Sequence, residues 1–293
     1  MTTKIAILLA TFHPNGYIKE QIESLKAQQE VELKIYWGDD GSTSEEIEFV
    51  KECLGELEYE FFSFPNVGAS QNFIQLMHKA PNHNYYAFCD QDDLWAPEKL
   101  KLSVKSLQPL SGPGLVHSSL VVVQGDKKWI KELGCTDHSM RRLLSENCFQ
   151  GCTLVFNSGA RSLFLSHRTE KILWHDWWFG WVISCLGTVV EITEPLIFYR
   201  LHSKNSIGYP RFRTKIVRFL NRESGLVLRQ AELFLIEYED LLAKTSKNEL
   251  TRWIKIHRGP IFMRLLYLTF DKKRRTSVTN EFLRRLSSIL KVP

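Results

Sequence analysis

Four short apolar segments recur in the first third of the chain, and each is followed by a segment with helical periodicity. The apolar segments cover residues 5–9, 33–37, 59–64 and 85–89. Apolar runs of this length, bounded by turn residues, predict strands that are buried on both faces, as in a parallel sheet. Strands that alternate with helices predict βαβ units with right-handed crossovers. The expected fold class is therefore α/β and Rossmann-like, with a mostly parallel sheet flanked by helices.

Each of these four predicted strands ends in a short polar segment. The segments are Thr11-Phe12-His13, Asp39-Asp40-Gly41-Ser42, Asn66-Val67-Gly68 and Asp90-Gln91-Asp92-Asp93. Because the carboxyl ends of parallel strands share one edge, where open α/β folds bind ligands, the segments should form one site. An Asp at the second strand end could accept the ring N–H of a pyrimidine. Carboxylates at the fourth could bind a hard divalent cation that neutralises a diphosphate. The alternatives are an ordinary turn with an N-cap at the second end and a solvated acidic turn at the fourth.

Beyond residue 110 the pattern predicts further strands and then only helices. Strands are expected at 115–123, 153–156, 189–193 and 196–200, and a helix at 176–186. From residue 210 the apolar spacing is helical, with helices expected over 226–242, 250–270 and 278–290. We therefore predict an α/β domain over residues 1–209 and a helical region over 210–293.

The two predicted regions differ in charge. Residues 211–293 contain 19 of the 38 Lys and Arg but only 8 of the 33 Asp and Glu, so this region is basic and the preceding one is acidic. Within it, an apolar aromatic segment (261–270) precedes the basic cluster 272–275, a combination typical of helices that lie on anionic membranes. The alternatives are a helical cap on the first domain and a homodimer interface.

Three features favour a cytoplasmic protein. No apolar run is long enough to span a membrane. The N-terminal residues pass directly into a predicted strand, which is unlike a secretory signal. The six cysteines are scattered, and several lie in apolar contexts, which favours reduced thiols.

Taken in order, the four polar segments resemble those of the family 2 inverting glycosyltransferases with the GT-A fold, over roughly residues 4–208. The resemblance implies a nucleotide-sugar donor and a divalent cation, Mg²⁺ or Mn²⁺, with Asp92 as the principal metal ligand. It implies nucleotide or donor contacts at Thr11, Phe12, Asp39, Asp40, Asn66, Gly68 and Asp90. The Arg that usually follows the Asn-x-Gly segment is absent; Gln71 and Asn72 stand there, and Asn72 is counted among the donor contacts.

Two later segments extend the resemblance. Gly151 lies in an Asn-Cys-Phe-Gln-Gly-Cys-Thr segment that resembles the glycine loop beneath the donor sugar; the alternative is a turn that enters a strand. A Tyr-Arg-Leu-His-Ser-Lys segment follows the last predicted strand. There His202 fits the C-terminal His that completes the metal site in many GT-A enzymes, and its alternative is a solvated loop residue. Arg200 and Lys204 could pair with diphosphate oxygens.

The run Trp174-His175-Asp176-Trp177-Trp178 holds three of the eight Trp residues within five positions. Indole rings provide platforms for sugars and exclude water, so an Asp among them should have a raised pKa and increased basicity. Inverting transfer needs a general base for the acceptor hydroxyl. By resemblance Asp176 is that base, and Trp177 and Trp178 contact the acceptor. The alternative is a core helix with Asp176 as its N-cap.

The spellings Asp-Gln-Asp-Asp-Leu-Trp, His-Asp-Trp-Trp and Tyr-Arg-x-His are most similar to bacterial rhamnosyltransferases. That similarity implies dTDP-L-rhamnose as donor and a lipid-linked saccharide as acceptor, at the inner face of the cell membrane, in the synthesis of surface polysaccharide such as O-antigen or capsule. UDP-glucose, UDP-galactose and UDP-N-acetylhexosamine are alternative donors.

Two other classes of protein are disfavoured by the sequence. A sugar nucleotidyltransferase generally has a Gly-rich basic loop for its triphosphate near the N-terminus, and Thr11-Phe12-His13-Pro14 is not such a loop. A nucleic-acid-binding protein is not expected, because the larger region is acidic and lacks an aromatic-basic RNA-binding motif.

Overall fold

The structure, a computed structural model, describes residues 3–81, 83–131, 137–144, 147–202 and 224–259. The chain divides into two compact units. The first comprises Met1–His138 and Asn147–His202, and the second comprises Ser139–Glu146 and Ser203–Pro293. The domain boundary expected at 209/210, Lys204 and the apolar and basic segments over 261–275 lie outside the described residues.

The first unit begins with four strands that alternate with helices, as the apolar pattern predicts. The strands are β1 (Thr3–Thr11), β2 (Val31–Asp39), β3 (Tyr59–Ser63) and β4 (Tyr85–Asp90), and the helices between them are α1 (Tyr17–Lys26), α2 (Ser44–Leu54) and α3 (Ala69–Lys79). All four strands are parallel, in the order β3-β2-β1-β4. The register sets Thr11 opposite Asp39 and Ala10 opposite Asp90, so the polar strand ends lie side by side.

Local sequence accounts for these elements. The residues of β1 from Ile5 to Leu9 have no exposed surface, and alternate ones share a core with Ile18 and Ile22 of α1. Each fully buried aliphatic side chain of this kind stabilises the fold by about 1.5–3 kcal/mol. Helix α2 begins at a capping box in which the Thr43 side chain accepts from the Glu46 amide and Glu46 accepts from the Thr43 amide.

The remaining elements of the first unit change the sheet from parallel to mixed. In chain order, the next elements are β5 (Leu94–Trp95), α4 (Lys99–Leu107), β6 (Gly114–Gln124), β7 (Lys127–Lys131), α5 (Met140–Leu143, part of the second unit), β8 (Val155–Asn157), α6 (Ser158–Leu165), α7 (His175–Leu186) and β9 (Thr188–Arg200). Over the described residues the sheet has nine strands in the order β3-β2-β1-β4-β8-β6-β9-β5, with β7 paired to β6. Strand β8 is antiparallel to β4 and β6, whereas β9 is parallel to β6. The predicted α/β class is confirmed.

The sequence prediction differs from the structure in this second half. The strands expected at 189–193 and 196–200 are the single strand β9, whose pairing with β6 is irregular around Ser118 and Ser119. Pro195, which has no N–H to donate to the ladder, lies at this irregularity. Residues Gly151–Thr153 form a 3₁₀ turn, so Thr153, expected as the first residue of a strand, lies before β8. Elements β5, β7 and α6 have no counterpart in the prediction.

The second unit is helical where it is described. It contains α5, α8 (Ser224–Tyr238) and α9 (Lys244–Arg258). The rings of Phe234 and Tyr238 stack 4.8 Å apart, and Leu250 and Trp253 are buried. A membrane-spanning helix, long and apolar enough to cross, is not found among the described residues.

The cysteines correct one expectation. Cys53, Cys89, Cys152 and Cys185 are free thiols, as expected. Cys148 is disulfide-bonded, so the expectation of reduced thiols is wrong at this position. Its spacing in the sequence carried no recognisable signal for a disulfide.

Candidate active site

The end of β1 is fastened to the end of β2 through side chains. The Thr11 hydroxyl donates to Asp39 Oδ2 at 2.7 Å and accepts from the Trp37 indole N–H at 2.8 Å. Two residues further on, the His13 amide donates to Ser42 Oγ at 2.9 Å. His13 adopts a φ of 42°, a region that non-glycine residues rarely occupy. Thr11 and His13 therefore define the course of the chain as it leaves β1.

Asp39 and Asp40 organise the loops around the end of β2. Asp39 is fully buried and also accepts from the amides of Gly41 and Ser42, at 3.1 and 2.8 Å, and from the Ser42 hydroxyl at 2.6 Å. With Thr11 this makes four bonds, which is about the acceptor capacity of a carboxylate. Asp40 accepts from the amides of Val67 and Gly68 at 2.6 and 2.7 Å.

These bonds hold the Asn66-Val67-Gly68 loop at the sheet edge. The loop has positive φ at Asn66 (53°) and Gly68 (86°), and its residues are exposed. The sequence alternative for Asp-Asp-Gly-Ser, an ordinary turn, agrees with the local bonding of Asp39. The nucleotide contacts expected of Asp39 and Asp40 stay predictions.

The loop after β4 is linked to the end of β1 by Gln91, a residue that the sequence prediction did not single out. The Phe12 amide donates to Gln91 Oε1 at 2.8 Å, and Gln91 Nε2 donates to the Phe12 carbonyl at 3.1 Å. Phe12 itself is 45% exposed, so its ring is available to a ligand at this edge.

Asp92 and His202, the two expected metal ligands, are brought together by the fold. Asp92 Oδ2 lies 2.8 Å from His202 Nε2, although the residues are 110 positions apart in the sequence. Both side chains are 15% exposed, so the pair lies at the surface of the sheet edge without being freely solvated. The Tyr17 ring packs 5.3 Å from that of His202.

Arg200, which was expected to contact a diphosphate, contacts the backbone of Asp92 and two residues of α1. Its Nη2 contacts Glu20 Oε2 at 2.5 Å, its Nη1 donates to the Asp92 carbonyl at 3.3 Å, and its guanidinium lies 4.7 Å from the Tyr17 ring. The residue is 9% exposed. These contacts brace the loop that carries Asp92, and they depend on Tyr17 and Glu20 of α1, which the sequence prediction missed.

Asp90 and Asp93 lie in a crowded part of the same loop. Burial, followed by repulsion from Asp92, raises the pKa of Asp90 to about 7. Burial, followed by repulsion from Asp92 and Asp90, raises the pKa of Asp93 well above its ordinary value. The carboxylates of Asp90 and Asp93 and the sulfur of Cys152 lie within 4.8 Å of one another. Repulsion of this kind is what a bound cation would relieve.

The chemistry of the side chains fits a hard divalent cation on the Asp92 side of the loop. Asp92, His202 and the nearby Asp90 offer carboxylate oxygens and an imidazole nitrogen at a partly exposed position. The group of Asp90, Asp93 and Cys152 lies deeper, and burial raises the pKa of the Cys152 thiol well above its ordinary value. A protonated thiol is a poor ligand for Mg²⁺ or Mn²⁺, which prefer oxygen.

Asp176, the expected base, lies in the first turn of α7. Its carboxylate accepts from the Trp177 amide at 2.7 Å and from Asn147 Nδ2 at 3.1 Å. Burial raises the pKa of Asp176 to about 6, and these hydrogen bonds oppose the rise. Its charge is also among those that raise the pKa of Asp90, which places it near the end of β4.

The glycine loop and the Trp cluster surround Asp176. A Cβ on Gly151 would lie 3.2 Å from His175 Nε2 and 3.7 Å from Asp176 Cβ, so this loop passes close to the start of α7. Trp177 is partly buried, whereas Trp178 is 2% exposed and its ring packs 6.1 Å from that of Trp181. Trp178 therefore packs in the core, in agreement with the alternative of a core helix.

Asn72 also lies away from the open edge. It is 1% exposed, and its Nδ2 donates to the Gly38 carbonyl at 2.8 Å. A Cβ on Gly38 would approach Asn72 Oδ1 to 2.2 Å, so the two residues pack closely. Its neighbour Gln71 donates to the carbonyls of Thr169 and Ile172, both at 3.1 Å. Asn72 is therefore buried against Gly38, and the donor contact expected of it stays a prediction.

Comparison with known proteins gives the context for this geometry. A family model described as Glycosyl transferase family 2 matches residues 6–169. The dTDP-rhamnosyl transferase RfbG of Shigella flexneri is 25% identical over 224 residues, covering 68% of this chain and 73% of that protein. An uncharacterized glycosyltransferase of Nostoc sp. is 24% identical over 214 residues, covering 69% of this chain and 66% of that protein.

Solved structures show the fold. S. aureus TarS 1-349 in complex with UDP-GlcNAc aligns with a TM-score of 0.58 at 13% identity, covering 98% of this chain and 90% of that chain. The mannosyltransferase PcManGT from Pyrobaculum calidifontis, in complex with GDP-Man and Mn²⁺, aligns with a TM-score of 0.58 at 14% identity, covering 98% of this chain and 83% of that chain. These similarities confirm the predicted GT-A fold.

Proposed function

The chain belongs to glycosyl transferase family 2 and is a glycosyltransferase that uses a nucleotide sugar, and from that premise we propose the reaction more closely. It is a metal-dependent, inverting hexosyl transfer to a saccharide acceptor. The observation that carries the proposal is the 2.8 Å approach of Asp92 Oδ2 to His202 Nε2, beside the carboxylate of Asp90. Mg²⁺ or Mn²⁺ bound by Asp92 and His202 would neutralise the diphosphate leaving group.

The other residues take their roles from their positions along the sheet edge. Thr11, Asp39 and Asp40 shape the nucleoside-binding part of the edge, and the exposed Phe12 ring and the Asn66–Gly68 loop border it. Gly151 gives the donor sugar room next to α7. Arg200 positions the Asp92 loop, and its charge attracts the diphosphate from behind that loop.

Asp176 is the proposed general base. Its hydrogen bonds to the Trp177 amide and Asn147 orient the carboxylate. It removes the proton of the acceptor hydroxyl as that oxygen bonds to the anomeric carbon and the diphosphate departs from the opposite face. A pKa near 6 leaves the group ionised at neutral pH while making it more basic than an ordinary Asp. The partly buried Trp177 ring borders the acceptor position.

For the donor we propose dTDP-L-rhamnose. The support is the sequence similarity to the S. flexneri dTDP-rhamnosyl transferase, at 25% identity over 68% of this chain. UDP-hexoses are the competing donors, and the test separates them. A panel of nucleotide sugars with Mg²⁺ or Mn²⁺ is assayed by thermal stabilisation. A donor at one hundred times its dissociation constant should add about 2.7 kcal/mol of stability.

Two results would decide the donor and the stereochemistry. Stabilisation by a UDP-hexose without stabilisation by dTDP-L-rhamnose would reject the rhamnosyl proposal and leave the family assignment intact. With the stabilising donor, the anomeric configuration of the product by NMR tests inversion. Equal nucleotide-sugar affinity in EDTA and in Mn²⁺ would reject the metal site.

The acceptor is proposed from the similarity to rhamnosyltransferases, and the cellular location is proposed from the charge of residues 211–293. A basic region, residues 211–293, would hold the protein at the inner face of the cell membrane, where a lipid-linked saccharide for O-antigen or capsule would be glycosylated. The test is co-sedimentation of the full chain with anionic and with neutral vesicles at low and high salt. Sedimentation that ignores both lipid charge and salt would favour the homodimer or helical-cap alternatives.

A further inference from the structure

Gln71 of α3 hydrogen-bonds the backbone of a distant turn, residues 169–172. Its Nε2 lies 3.1 Å from the carbonyl oxygens of Thr169 and Ile172 and 3.4 Å from that of Glu170. One side-chain amide has two N–H donors, so the three carbonyl oxygens share them. The bonds span 98 to 101 positions of the sequence, so they connect two segments that only the fold brings together.

This turn leads directly into α7, the helix that carries Asp176. Within the turn the Ile172 amide donates to the Thr169 carbonyl at 3.2 Å, and both side chains are buried. The N-cap residue of α7, Trp174, makes no side-chain capping bond. A side-chain cap normally helps to fix where a helix begins. The position of the first turn of α7 therefore depends on contacts from neighbouring elements.

A second residue of α3 contacts the start of α7 itself. The rings of Phe73 and His175 stack with their centroids 4.4 Å apart, and both residues are buried. His175 precedes Asp176 in the chain. Apolar packing is not directional, whereas a hydrogen bond is. The bonds of Gln71 therefore add a directional constraint to this packing contact.

The N-terminus of α3 joins the loop expected to bind the donor. The helix follows Gly68, whose amide donates to Asp40 Oδ2 at 2.7 Å, and the Asn72 amide donates to the Gly68 carbonyl at 2.9 Å. Gln71 thus lies in the first turn of α3, next to the donor loop. It connects that loop to the turn that precedes the base.

We propose that Gln71 is a positioning residue: its side-chain amide fixes the turn 169–172 and thereby the place from which α7 presents Asp176 to the acceptor. The proposal deepens the inverting transfer proposed above and rests on Asp176 being the base. Because Gln71 lies beside the donor loop, it fixes the base relative to the donor. Gln71 should therefore act on turnover and not on donor affinity.

The first test needs no substrate. Gln71→Met keeps the length of the side chain and removes its N–H donors. The amides of Ile172 and Trp178, bonded in the turn and in the first turn of α7, should exchange hydrogen about 10-fold faster, as the loss of one or two hydrogen bonds predicts. The amides of β1 should keep their wild-type rates. Unchanged exchange at 172–178, or equal acceleration in β1, would overturn the proposal.

Gln28 provides a matched control for the exchange measurement. It is partly buried, like Gln71, and its Nε2 also donates to backbone carbonyls, those of Ser24 at 3.1 Å and Ala96 at 2.9 Å. Gln28→Met should leave exchange at 172–178 at the wild-type rate. If it accelerates those amides as Gln71→Met does, the effect is a general loss of stability and the role of Gln71 is rejected.

The second test measures turnover. Release of dTDP from dTDP-L-rhamnose, or of UDP if a UDP-hexose is the stabilising donor, is followed with water as the acceptor. The water oxygen bonds to the anomeric carbon, its proton passes to Asp176, and the nucleoside diphosphate leaves. In Gln71→Met kcat should fall by about 10-fold or more, since misplacing a reacting group by about 1 Å can cost about 100-fold. Affinity for the nucleoside diphosphate with Mn²⁺, measured by calorimetry, should match wild type.

A double variant distinguishes positioning from a merely structural role. In the Asp176→Asn background, adding Gln71→Met should change kcat by less than about 2-fold, because the group that Gln71 positions is already gone. Equal losses of kcat in the two backgrounds would overturn the proposal, since they would show that Gln71 acts on turnover without acting through Asp176.

The two proposals fail in different ways. Near-normal turnover of Asp176→Asn rejects the base, while hydrogen exchange still shows whether Gln71 holds the start of α7. If Asp176→Asn loses turnover but Gln71→Met matches wild type in both exchange and kcat, the base stands and the role of Gln71 is rejected.

Discussion

Two groups of aspartates lie on the same sheet edge in opposite electrostatic situations. At the end of β2, Asp39 accepts four hydrogen bonds and Asp40 accepts two from backbone amides. At the end of β4, Asp93 is buried and Asp90 is partly exposed, both close to Asp92, and their pKa values are raised by desolvation and by repulsion from neighbouring carboxylates. The first group has two aspartates that accept six hydrogen bonds from surrounding residues, whereas in the second group of three, Asp93 accepts a long bond of 3.3 Å from the Arg200 amide.

The difference separates two uses of a carboxylate. A carboxylate that accepts several N–H bonds builds a loop, because its removal leaves buried donors unpaired. In a cluster with few such donors the carboxylates repel one another, and a bound ligand of opposite charge reduces that repulsion. Strongly perturbed carboxylates in one cleft are therefore candidates for function, whereas satisfied ones shape the cleft. Asp176, with a raised pKa and two hydrogen bonds, combines both situations.

The largest expected effect is on turnover in Asp176→Asn. The amide keeps the shape of the side chain and removes the proton acceptor, so kcat should fall by about 10²- to 10⁴-fold. Donor affinity, measured separately by calorimetry, should be nearly unchanged. In wild type the rate should fall as the pH drops below about 6, where Asp176 becomes protonated. Near-normal turnover in the variant would assign the base to another residue and leave the Trp cluster as core.

Asp92→Ala should come next, with an effect on metal-dependent binding. Loss of the carboxylate that meets His202 should weaken Mn²⁺-dependent nucleotide binding by about 100-fold, in line with loss of a charged ligand. The fold should survive, because the change relieves repulsion on Asp90 and Asp93. Calorimetric titrations of nucleotide in Mn²⁺ and in EDTA measure the effect. An unchanged ratio of the two affinities would show that the metal-binding residues lie elsewhere.

Asp40→Asn should instead lower the stability of the fold and leave Mn²⁺ affinity unchanged. Asp40 accepts from the Val67 and Gly68 amides, and bonds to a charged group are worth about 1.5–3 kcal/mol each. The amide keeps one acceptor oxygen and presents an NH₂ group to the other donor, so unfolding in urea should require about 2–4 kcal/mol less free energy. Mn²⁺ affinity of the folded variant should match wild type. If stability is kept while Mn²⁺ affinity falls, the two groups of aspartates do not have separate roles.

A feature could be predicted from the sequence when it depends on residues that are close together in the chain. The strands β1–β4 and their polar ends could be predicted, because apolar periodicity is local and a parallel register aligns the ends. Gln91, Tyr17 and Glu20 could not be predicted, because each acts on a distant partner; Glu20 contacts Arg200 across 180 positions. The roles proposed for the site residues came from resemblance and stay predictions.

Burial separated several candidates that look alike in sequence. Trp177 and Trp178 are adjacent, yet the helical turn directs Trp178 into the core and leaves Trp177 partly exposed. Asn72 reads as a polar residue beside a ligand loop, but α3 places it inward against Gly38. Lys99 reads as an ordinary surface lysine until its burial is known. A single sequence records residue type, and the direction of each side chain depends on packing against other elements.

The smallest expected effect, and the one that most sharpens the comparison, is a gain in stability for Asp176→Asn. A carboxyl whose folded pKa is raised binds its proton more tightly when folded, so its favourable contribution is complete below the unfolded pKa of about 4 and is lost as the pH rises through about 6. The variant has no such loss and also removes a charge that repels Asp90. Relative to wild type it should therefore be more stable at pH 8, by about 1 kcal/mol because partial exposure reduces the effect, and the difference should narrow at pH 4.5.

Urea unfolding at the two pH values measures this difference in stability. Asp40→Asn is the matched control, since that variant should be less stable than wild type at pH 8. A variant that is destabilised at pH 8 would mean that the hydrogen bonds from Asn147 and the Trp177 amide outweigh desolvation, and that Asp176 belongs with the aspartates that build the site.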